Sequence, residues 1–391
     1  MAASPLIYLD HHATTPVDPR VLEAMLPFFR GDFANADSLH APGRAARAAV
    51  ESARSQIAER LQITPRELIF TSGATEANNL ALKGVMQAAP PGSHLIINAA
   101  EHSSILETAD RLARRGCRIT ILPVDREGRV APESVAAAIT PETALVSVMT
   151  ANNEIGTLND LAAIGALCRA RGVLLHTDAV AALGRISLSF ADLPVDLASI
   201  SAHKISGPKG IGALFVRRGD RRIPLEPQLD GGGHEHHLRS GTLPVPLIVG
   251  FGTASSLLQD SRGDDTRRLA ELHRLLWQEL SAKISGLRLN GPINRLPGNL
   301  NVSFDGLDGD ALLTALDSYL AVSSGAACSA SNREPSHVLR AIGLPDSLCR
   351  ASLRFGLGRE TTGAQITQSA QIIADQVARL RAIHKKSQPP G

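Results

Sequence analysis

The sequence predicts an α/β protein with a large domain, in which helices flank a mostly parallel sheet of seven strands, and a smaller α+β domain. Three observations support this prediction. The chain has 391 residues, more than a single hydrophobic core usually holds. Short apolar runs alternate with longer amphipathic segments, which is typical of a parallel sheet covered on both faces. After about residue 255 this alternation ends.

The strands of the large domain are predicted where short apolar runs occur. The runs that indicate buried strands are 68–70, 95–97, 118–122, 145–149, 173–175 and 197–200. A further run, 212–216, is compatible with an antiparallel strand. Amphipathic, alanine-rich segments at 104–115, 133–139 and 160–171 predict helices between the strands. We assign residues 15–255 to this large domain.

The smaller domain is predicted from the pattern that follows. Leucines at helical spacing, among them Leu269, Leu272 and Leu276, predict a helix at about 264–285. The elements expected after it are a strand at 299–304, a helix near 308–320, a loop of small residues and a helix near 361–384. We assign residues 1–14 and 256–391 to this domain.

The composition is that of an ordinary globular protein. Apolar residues make up 43% and charged residues 20%, and the formal net charge is only +2. This balance gives no basis for binding nucleic acid or a membrane surface, and no apolar run approaches the roughly 20 residues that span a bilayer. The four cysteines, Cys117, Cys168, Cys328 and Cys349, are widely spaced. With no secretory signal, this spacing favours a reduced, cytoplasmic protein over a disulfide framework.

Two charged residues at strand ends indicate a pyridoxal 5'-phosphate (PLP) site. Asp178 follows the apolar run 173–175, and Lys204 follows the run 197–200. A lysine can hold the PLP aldehyde as a Schiff base, and a carboxylate can keep the pyridine nitrogen protonated so that the ring accepts electrons. Each residue alone has an ordinary explanation, since a lone lysine is usually a solvated charge and an aspartate after a strand is usually a cap or turn residue.

Further candidates also follow predicted strands, where ligands collect in such sheets. The turn 70–76 leads into a helix expected near Glu76, so its free N–H groups suit a phosphate; the alternative is a capped helix start with Thr75 as N-cap. His102 could stack on a planar ring and carry protons, or it could bond locally at a helix start. A side-chain amide in the segment 152–156 could contact the cofactor or the substrate, although Asn is also common in turns.

Two residues of the smaller domain complete the candidates. Cys328 lies in a run of small residues, 323–331, which predicts an exposed loop and makes its thiol a candidate nucleophile. Arg354 lies in an apolar strand-like run and needs a partner there, either a substrate carboxylate or an internal ion pair. The histidines after the glycine run 231–233 do not fit HExxH because position 238 is Leu238, so no metal site is expected.

Taken with these residues, the chain resembles a cysteine desulfurase of the NifS/IscS type, within the class V aminotransferase relatives of PLP fold type I. The stretch 203–212 reads HKISGPKGIG, and the other matching stretches are 8–16, 70–76, 101–102, 152–156, 176–179, 231–235, 239–244 and 323–329. The resemblance implies the PLP-dependent transferase fold type I, PLP as cofactor, L-cysteine as substrate and a homodimer. It also implies a protein that accepts the sulfur.

The resemblance implies roles for single residues. Lys204 would carry the Schiff base, Asp178 would hold the pyridine nitrogen, and His102 would lie over the ring. The residues implied to bind the phosphate are Ala74, Thr75, Ser201 and His203, with Thr242 reaching the phosphate of the neighbouring subunit. The residues implied to address the substrate carboxylate are Asn35, Asn153 and Arg354, and Asn153 is also expected at the cofactor. Cys328 would accept the sulfur.

The sequence departs from the family pattern at three places. Ala181 stands where the family usually has a Gln that bonds the ring hydroxyl, a loss of about 0.5–1.5 kcal/mol. Ala36 and Asp37 change the loop that follows Asn35, and His11 occupies a position that is usually aromatic or Ser. Of the three, Ala181 bears most directly on cofactor binding.

These observations predict a cysteine desulfurase that converts L-cysteine to L-alanine and transfers the sulfur to Cys328 as a persulfide. The sulfur would serve iron–sulfur cluster assembly, tRNA thiolation or the synthesis of another cofactor. Selenocysteine lyase and other class V enzymes, such as a transaminase, are alternatives, although a transaminase needs no cysteine at position 328. A non-catalytic sulfur-relay protein, with cofactor binding weakened at Ala181, is the alternative of a different class.

Overall fold

The structure is a computed structural model that describes residues 6–219, 222–324 and 334–387. Within the long helices, the side chains of residues 259–262 and 384–387 are not described. The candidate nucleophile Cys328 therefore lies outside the described residues.

The strands and helices of the described residues are numbered in chain order. The strands are β1 (Ile7–Tyr8), β2 (Leu68–Thr71), β3 (His94–Asn98), β4 (Arg118–Leu122), β5 (Thr143–Ser147), β6 (Leu174–Asp178), β7 (Leu197–Ser201), β8 (Gly212–Val216), β9 (Leu287–Leu289), β10 (Asn299–Phe304), β11 (Leu320–Ala321), β12 (Ser323–Ser324) and β13 (Ser352–Gly356). The helices are α1 (Pro19–Met25), α2 (Pro27–Arg30), α3 (Ala41–Leu61), α4 (Ala74–Ala88), α5 (Ser103–Ala113), α6 (Pro132–Ala138), α7 (Leu161–Ala170), α8 (Val245–Lys283), α9 (Gly309–Leu316), α10 (His337–Ala341), α11 (Asp346–Arg350) and α12 (Gly363–Ser387). Short 3₁₀ turns span Pro65–Glu67, Ala202–Lys204 and Glu235–His237.

The central sheet confirms the predicted α/β architecture. Its seven strands lie in the order β2-β8-β7-β6-β5-β3-β4. The pairs β3–β4, β3–β5, β5–β6 and β6–β7 are parallel. In contrast, β8 pairs antiparallel with both β2 and β7. The run 212–216 is therefore the antiparallel strand, and all the predicted runs of the large domain overlap strands of this sheet.

Helices cover both faces of the central sheet because its strands are apolar on both sides. Neighbouring residues of a strand face opposite sides. In β2, Phe70 belongs to a core cluster with residues of α3 and α8, whereas Ile69 belongs to another cluster with residues of α4 and α5. Ile96 and Ile97 of β3 divide between the same two clusters. Burial on both faces explains why these strands have continuous apolar runs rather than alternating ones.

The C-terminal third of the chain forms a smaller sheet with its own core. Strands β12, β13, β10 and β9 form an antiparallel sheet, and β1 pairs in parallel with β11. A core cluster joins Leu300 and Phe355 of this sheet to residues of α8, α9 and α12 and to Leu9 near the N-terminus. This part is α+β, as expected, while the boundaries proposed at 14/15 and 255/256 stay a prediction.

Helix α8 is longer than the sequence pattern predicts. The expected helix begins at about 264, but the observed one is continuous from Val245 to Lys283. Its first half packs Ile248 and Phe251 into the core of the central sheet, and its second half packs Leu276 into the smaller core. The polar run 259–264 between the two halves interrupts the apolar periodicity, which is why the sequence suggests a later start.

A buried ion pair anchors the segment between β8 and α8. Arg54 of α3 donates from Nη1 and Nη2 to the Glu235 carboxylate at 2.9 and 2.6 Å, and the two side chains are 6% and 2% exposed. Glu235 also accepts from the backbone N–H of Phe70 at 2.7 Å. Because both charged groups are buried, removing either one would leave the other charge in the interior without a partner.

Arg54→Ala is expected to lower the free energy of unfolding by about 3–5 kcal/mol, because it leaves the Glu235 carboxylate buried without its cation. The matched control is Arg114→Ala, which removes an exposed pair with Asp110 on α5 and is expected to cost less than about 1 kcal/mol. Urea unfolding of both variants measures the difference. Equal losses in the free energy of unfolding of the two variants would contradict the prediction that the buried pair stabilises the fold more than the exposed pair does.

Candidate active site

Lys204 lies at the carboxyl end of the central sheet. Strand β7 ends at Ser201, and the chain turns at once through Ala202–Lys204. The Lys204 Nζ donates to the backbone oxygens of His12 and Ala13, the second at 2.8 Å. The amine is thus held against the N-terminal segment on the wall of a cavity, and Lys204 is half-buried.

Asp178 reaches the same cavity from the neighbouring strand. It ends β6, which pairs in parallel with β7, and its register partner there is Ser199. The carboxylate is 6% exposed and accepts from Asn78 Nδ2 at 2.9 Å and from the backbone N–H of Val180 at 3.0 Å. The predicted pair of a lysine and a carboxylate at adjacent strand ends is therefore present in the fold.

Helix α4 begins beside this pair. Its first residue is Ala74 and its N-cap is Gly73, which makes no side-chain capping hydrogen bond. The expected start near Glu76 and the alternative with Thr75 as N-cap are both wrong, because Ala74 and Thr75 already lie in the first helical turn. An N-terminus capped by Gly leaves its backbone N–H groups and positive dipole end available to an anion.

Most of the predicted site residues line one cavity of about 520 Å³. The predicted residues among its walls are Ala74, Thr75, His102, Asn153, Asp178, Ser201, His203, Lys204 and Arg354. Among the described residues that line it, neither Asn35 nor Thr242 appears, and both are exposed. The structure thus brings together the residues of β6, β7, α4 and β13 but leaves these two outside.

His102 caps helix α5, the local role that the sequence left open. It is the N-cap residue, and its Nδ1 accepts from the backbone N–H of Ser104 at 3.1 Å. It also lines the cavity, while its stacking on a ring and its transfer of protons stay a prediction. The sequence did not predict Ser104, which lines the same cavity, or Asn78, which donates to Ser104. Both residues lie in helices with ordinary amphipathic patterns, so no local signal marks them.

Arg354 has an internal partner in this structure. Its Nη2 donates to Asp10 Oδ1 and to Ser323 Oγ, each at 2.9 Å, and its side chain is 6% exposed. Within the described part of the chain, its Nε is buried without a hydrogen-bond partner. The internal ion pair, one of the two alternatives expected for Arg354, is therefore formed, and Arg354 also lines the cavity.

Two histidines of the cavity wall, His12 and His203, are neutral at pH 7 because their pKa values are lowered. Burial lowers the pKa of His203 to about 4, and the charges of Lys204 and Lys209 act in the same direction. Burial likewise holds the pKa of His12 well below its usual range, with Arg185 and Arg354 adding to the effect. These rings can therefore offer hydrogen bonds without adding positive charge.

The structure shows the contacts of the three positions at which the sequence departs from the family pattern. Ala181 lines the cavity with a methyl group, so this position offers a bound ring no hydrogen bond. The changed loop places Asp37 against His234 Nε2 at 2.5 Å, and Asp37 also pairs with Arg47. His11 bonds Gly356 O through Nδ1 at 3.1 Å and stays outside the cavity wall.

Comparisons with known proteins agree with this site. Residues 7–368 match the family described as Aminotransferase class-V. A curated relative from Anaeromyxobacter sp. (strain Fw109-5), named cysteine desulfurase IscS, is 47% identical over 378 residues, which cover 96% of this chain and 93% of that protein. Another from Aeromonas salmonicida, of the same name, is 48% identical over 380 residues, with the same shares covered.

Solved structures show the same fold. A NifS-like protein superposes with a TM-score of 0.90 at 34% identity, covering 96% of this chain and all 100% of that one. SspA in complex with cysteine superposes with a TM-score of 0.80 at 35% identity, covering 90% and 98%. The fold and site define a class V aminotransferase-type protein. The chain belongs to that family and, within it, to the cysteine desulfurases of the NifS/IscS type.

In the part of the chain that the structure describes, no helix is both long and apolar enough to cross a bilayer.

A buried carboxyl group, Glu101, lies behind His102. Its Oε1 accepts from the backbone N–H of Met149 at 2.7 Å and from the Asn98 side chain, while Oε2 is buried without a partner among the described residues. Burial raises the pKa of Glu101 well above its usual range, and the nearby charge of Asp178 adds to the rise. The folded protein therefore holds a proton on Glu101 at pH values where the unfolded chain has lost it.

Glu101→Gln tests this proton directly. Because the folded-state pKa of Glu101 is raised, the wild-type protein loses stability as the pH rises above about 4.5, while the uncharged Gln has no such dependence. We expect the thermal midpoint of Glu101→Gln to match the wild type near pH 4.5 and to exceed it increasingly toward pH 8. The control is Glu107→Gln, a change at an exposed position of α5. A constant difference between Glu101→Gln and wild type at all pH values would contradict the raised pKa.

Proposed function

We propose that this protein is a PLP-dependent cysteine desulfurase, which converts L-cysteine to L-alanine and holds the sulfur on Cys328 as a persulfide. The observation that carries the proposal is the placement of Lys204 and Asp178, which face one cavity from the ends of adjacent parallel strands. The identity of about half the residues to proteins named cysteine desulfurase IscS supports the same reaction.

The chemistry of the cavity walls fits PLP at three points. The Lys204 amine can hold the aldehyde, and the Asp178 carboxylate can pair with the pyridinium nitrogen. The first turn of α4, at Ala74 and Thr75, offers backbone N–H groups to the phosphate dianion. The other wall residues proposed for the phosphate are Ser201 and His203. Because Ala181 offers no donor to the ring hydroxyl, the cofactor is expected to bind more weakly by about 0.5–1.5 kcal/mol than with a Gln there.

The substrate carboxylate is proposed to bind at Arg354. The ion pair with Asp10 fixes the guanidinium of Arg354, which lines the cavity and can pair with a carboxylate there. Asn153 lines the same wall and is proposed to contact both the substrate and the ring. Asn35 is proposed as a further contact, although in the single chain it lies outside the cavity wall.

When bound, PLP supplies an electron sink that stabilises negative charge at the substrate Cα. Lys204 is proposed to take the Cα proton on Nζ, and His102 to lie over the ring. The Cys328 thiolate attacks the substrate sulfur, so the bond from sulfur to Cβ breaks while a sulfur–sulfur bond forms. Cβ then gains a proton, Cα regains the proton held by Lys204, and alanine leaves, so one thiol and one cysteine become one persulfide and one alanine.

The oligomeric state, the cellular location and the sulfur acceptor are also proposals. A homodimer is supported by the exposed position of Thr242, which lies outside this chain's cavity and is proposed to reach the phosphate of the neighbouring subunit. Cys117, Cys168 and Cys349 are free thiols, which fits a reducing, cytoplasmic location. The sulfur is proposed to pass to an acceptor protein, such as an iron–sulfur scaffold or a tRNA thiolation enzyme.

Cys328→Ser separates cofactor binding from sulfur transfer. The variant is expected to keep the yellow absorbance of bound PLP, because Cys328 is not needed to hold the cofactor. It is expected to lose alanine formation from L-cysteine on the order of 100-fold or more, because the nucleophile is gone. Alanine and sulfide are quantified after incubation with L-cysteine and a reductant, and Cys117→Ser is the matched control.

Alanine formation at the wild-type rate in Cys328→Ser would show that Cys328 is not the nucleophile. A purified wild-type protein that takes up no PLP would instead favour the non-catalytic sulfur relay. Both results are read from the same samples, since the absorbance and the product are measured together.

A further inference from the structure

A line of hydrogen bonds connects Asp178 to His102 through two side chains. Asn78 of α4 donates from Nδ2 to Asp178 Oδ2 at 2.9 Å and to Ser104 Oγ at 2.8 Å. Ser104 Oγ lies 2.8 Å from His102 Nδ1. Asn78 is 0% exposed, Asp178 6% and Ser104 8%, so water does not compete for the bonds among these three residues, whereas His102 at the end of the line is exposed. The line therefore has a fixed set of partners.

The direction of each bond follows from the carboxylate. An ionised carboxylate only accepts, so the amide group of Asn78 that faces Asp178 is the NH₂ and not the oxygen. The second proton of that NH₂ points to Ser104 Oγ, which must therefore accept. The single hydroxyl proton of Ser104 is left for its remaining neighbour, His102 Nδ1.

The backbone leads to the same result independently. The N–H of Ser104 can only donate, and it donates to His102 Nδ1 at 3.1 Å. Nδ1 thus receives two donors from one residue, and a proton on Nδ1 would face both of them. The neutral ring must then carry its proton on Nε2.

We infer that Ser104, oriented by Asn78 and Asp178, is a positioning residue that holds His102 as the neutral tautomer protonated on Nε2. The role in catalysis rests on the proposed function, in which His102 lies over the cofactor. There the free edge of the ring presents an N–H donor, so His102 can give a proton or a hydrogen bond at Nε2 but cannot accept one at that atom. Asp178 then serves both the ring nitrogen of the cofactor and the histidine that lies over the ring.

The test is the tautomer of His102, observed by ¹⁵N NMR of histidine-labelled protein without cofactor. The His102 signals are assigned as those lost in His102→Gln, since the chain has 13 histidines. The wild type is expected to show the Nε2–H pattern. In Ser104→Ala the ratio of Nε2–H to Nδ1–H is expected to fall roughly fivefold, because one of the two donors to Nδ1 is lost.

Two further variants separate positioning from general disturbance. Ser104→Thr keeps the hydroxyl and is expected to restore the Nε2–H signal, whereas Ser103→Ala, at an exposed neighbouring position, is expected to leave it unchanged. In the loaded protein, Ser104→Ala is expected to lower alanine formation and alter its pH profile while the yellow absorbance is retained.

A wild-type His102 protonated on Nδ1, or an unchanged tautomer ratio in Ser104→Ala, would overturn the inference even in an active desulfurase. If Ser104→Ala shifts the tautomer ratio but the wild-type protein makes no alanine from L-cysteine, the positioning role is supported and the proposed function is contradicted. The two failures are therefore distinguishable.

Discussion

The parallel pairing of β6 with β7 is the constraint on which the site depends. Parallel neighbours end at the same edge of a sheet, so Asp178 and the turn that carries Lys204 leave the sheet side by side. A shift of one residue in this register would turn the Asp178 side chain to the opposite face of the sheet. The two-sided burial of these strands fixes the register, because each face has its own apolar partners.

The N-terminal segment joins the two parts of the fold at the site. Thr15 accepts from the backbone N–H of Ser206 at 2.8 Å and donates to His203 O at 2.8 Å, which holds the turn after β7. A few residues earlier, Asp10 pairs with Arg354 of β13. The amine of the central sheet and the guanidinium of the smaller sheet are therefore placed by one short stretch of chain, so the geometry of the cavity depends on both cores.

The sequence predicts the parts of the site whose signal is local. An apolar run followed by Asp178 or Lys204 can be read directly, and it predicts both the strands and their polar ends. The contacts that complete the site join distant segments, such as Asn78 with Asp178 and Asp10 with Arg354, and no local pattern carries them. The continuous α8 was missed for a related reason, since its two apolar halves face two different cores.

The central claim is that Lys204, and not another amine of the cavity, binds the cofactor covalently. Its most direct test is to load the purified protein with PLP, reduce it with borohydride and map the pyridoxyl group by peptide mass spectrometry. The label is predicted on Lys204. A label on Lys209, which lines the same cavity, or no stable label at all would contradict the claim.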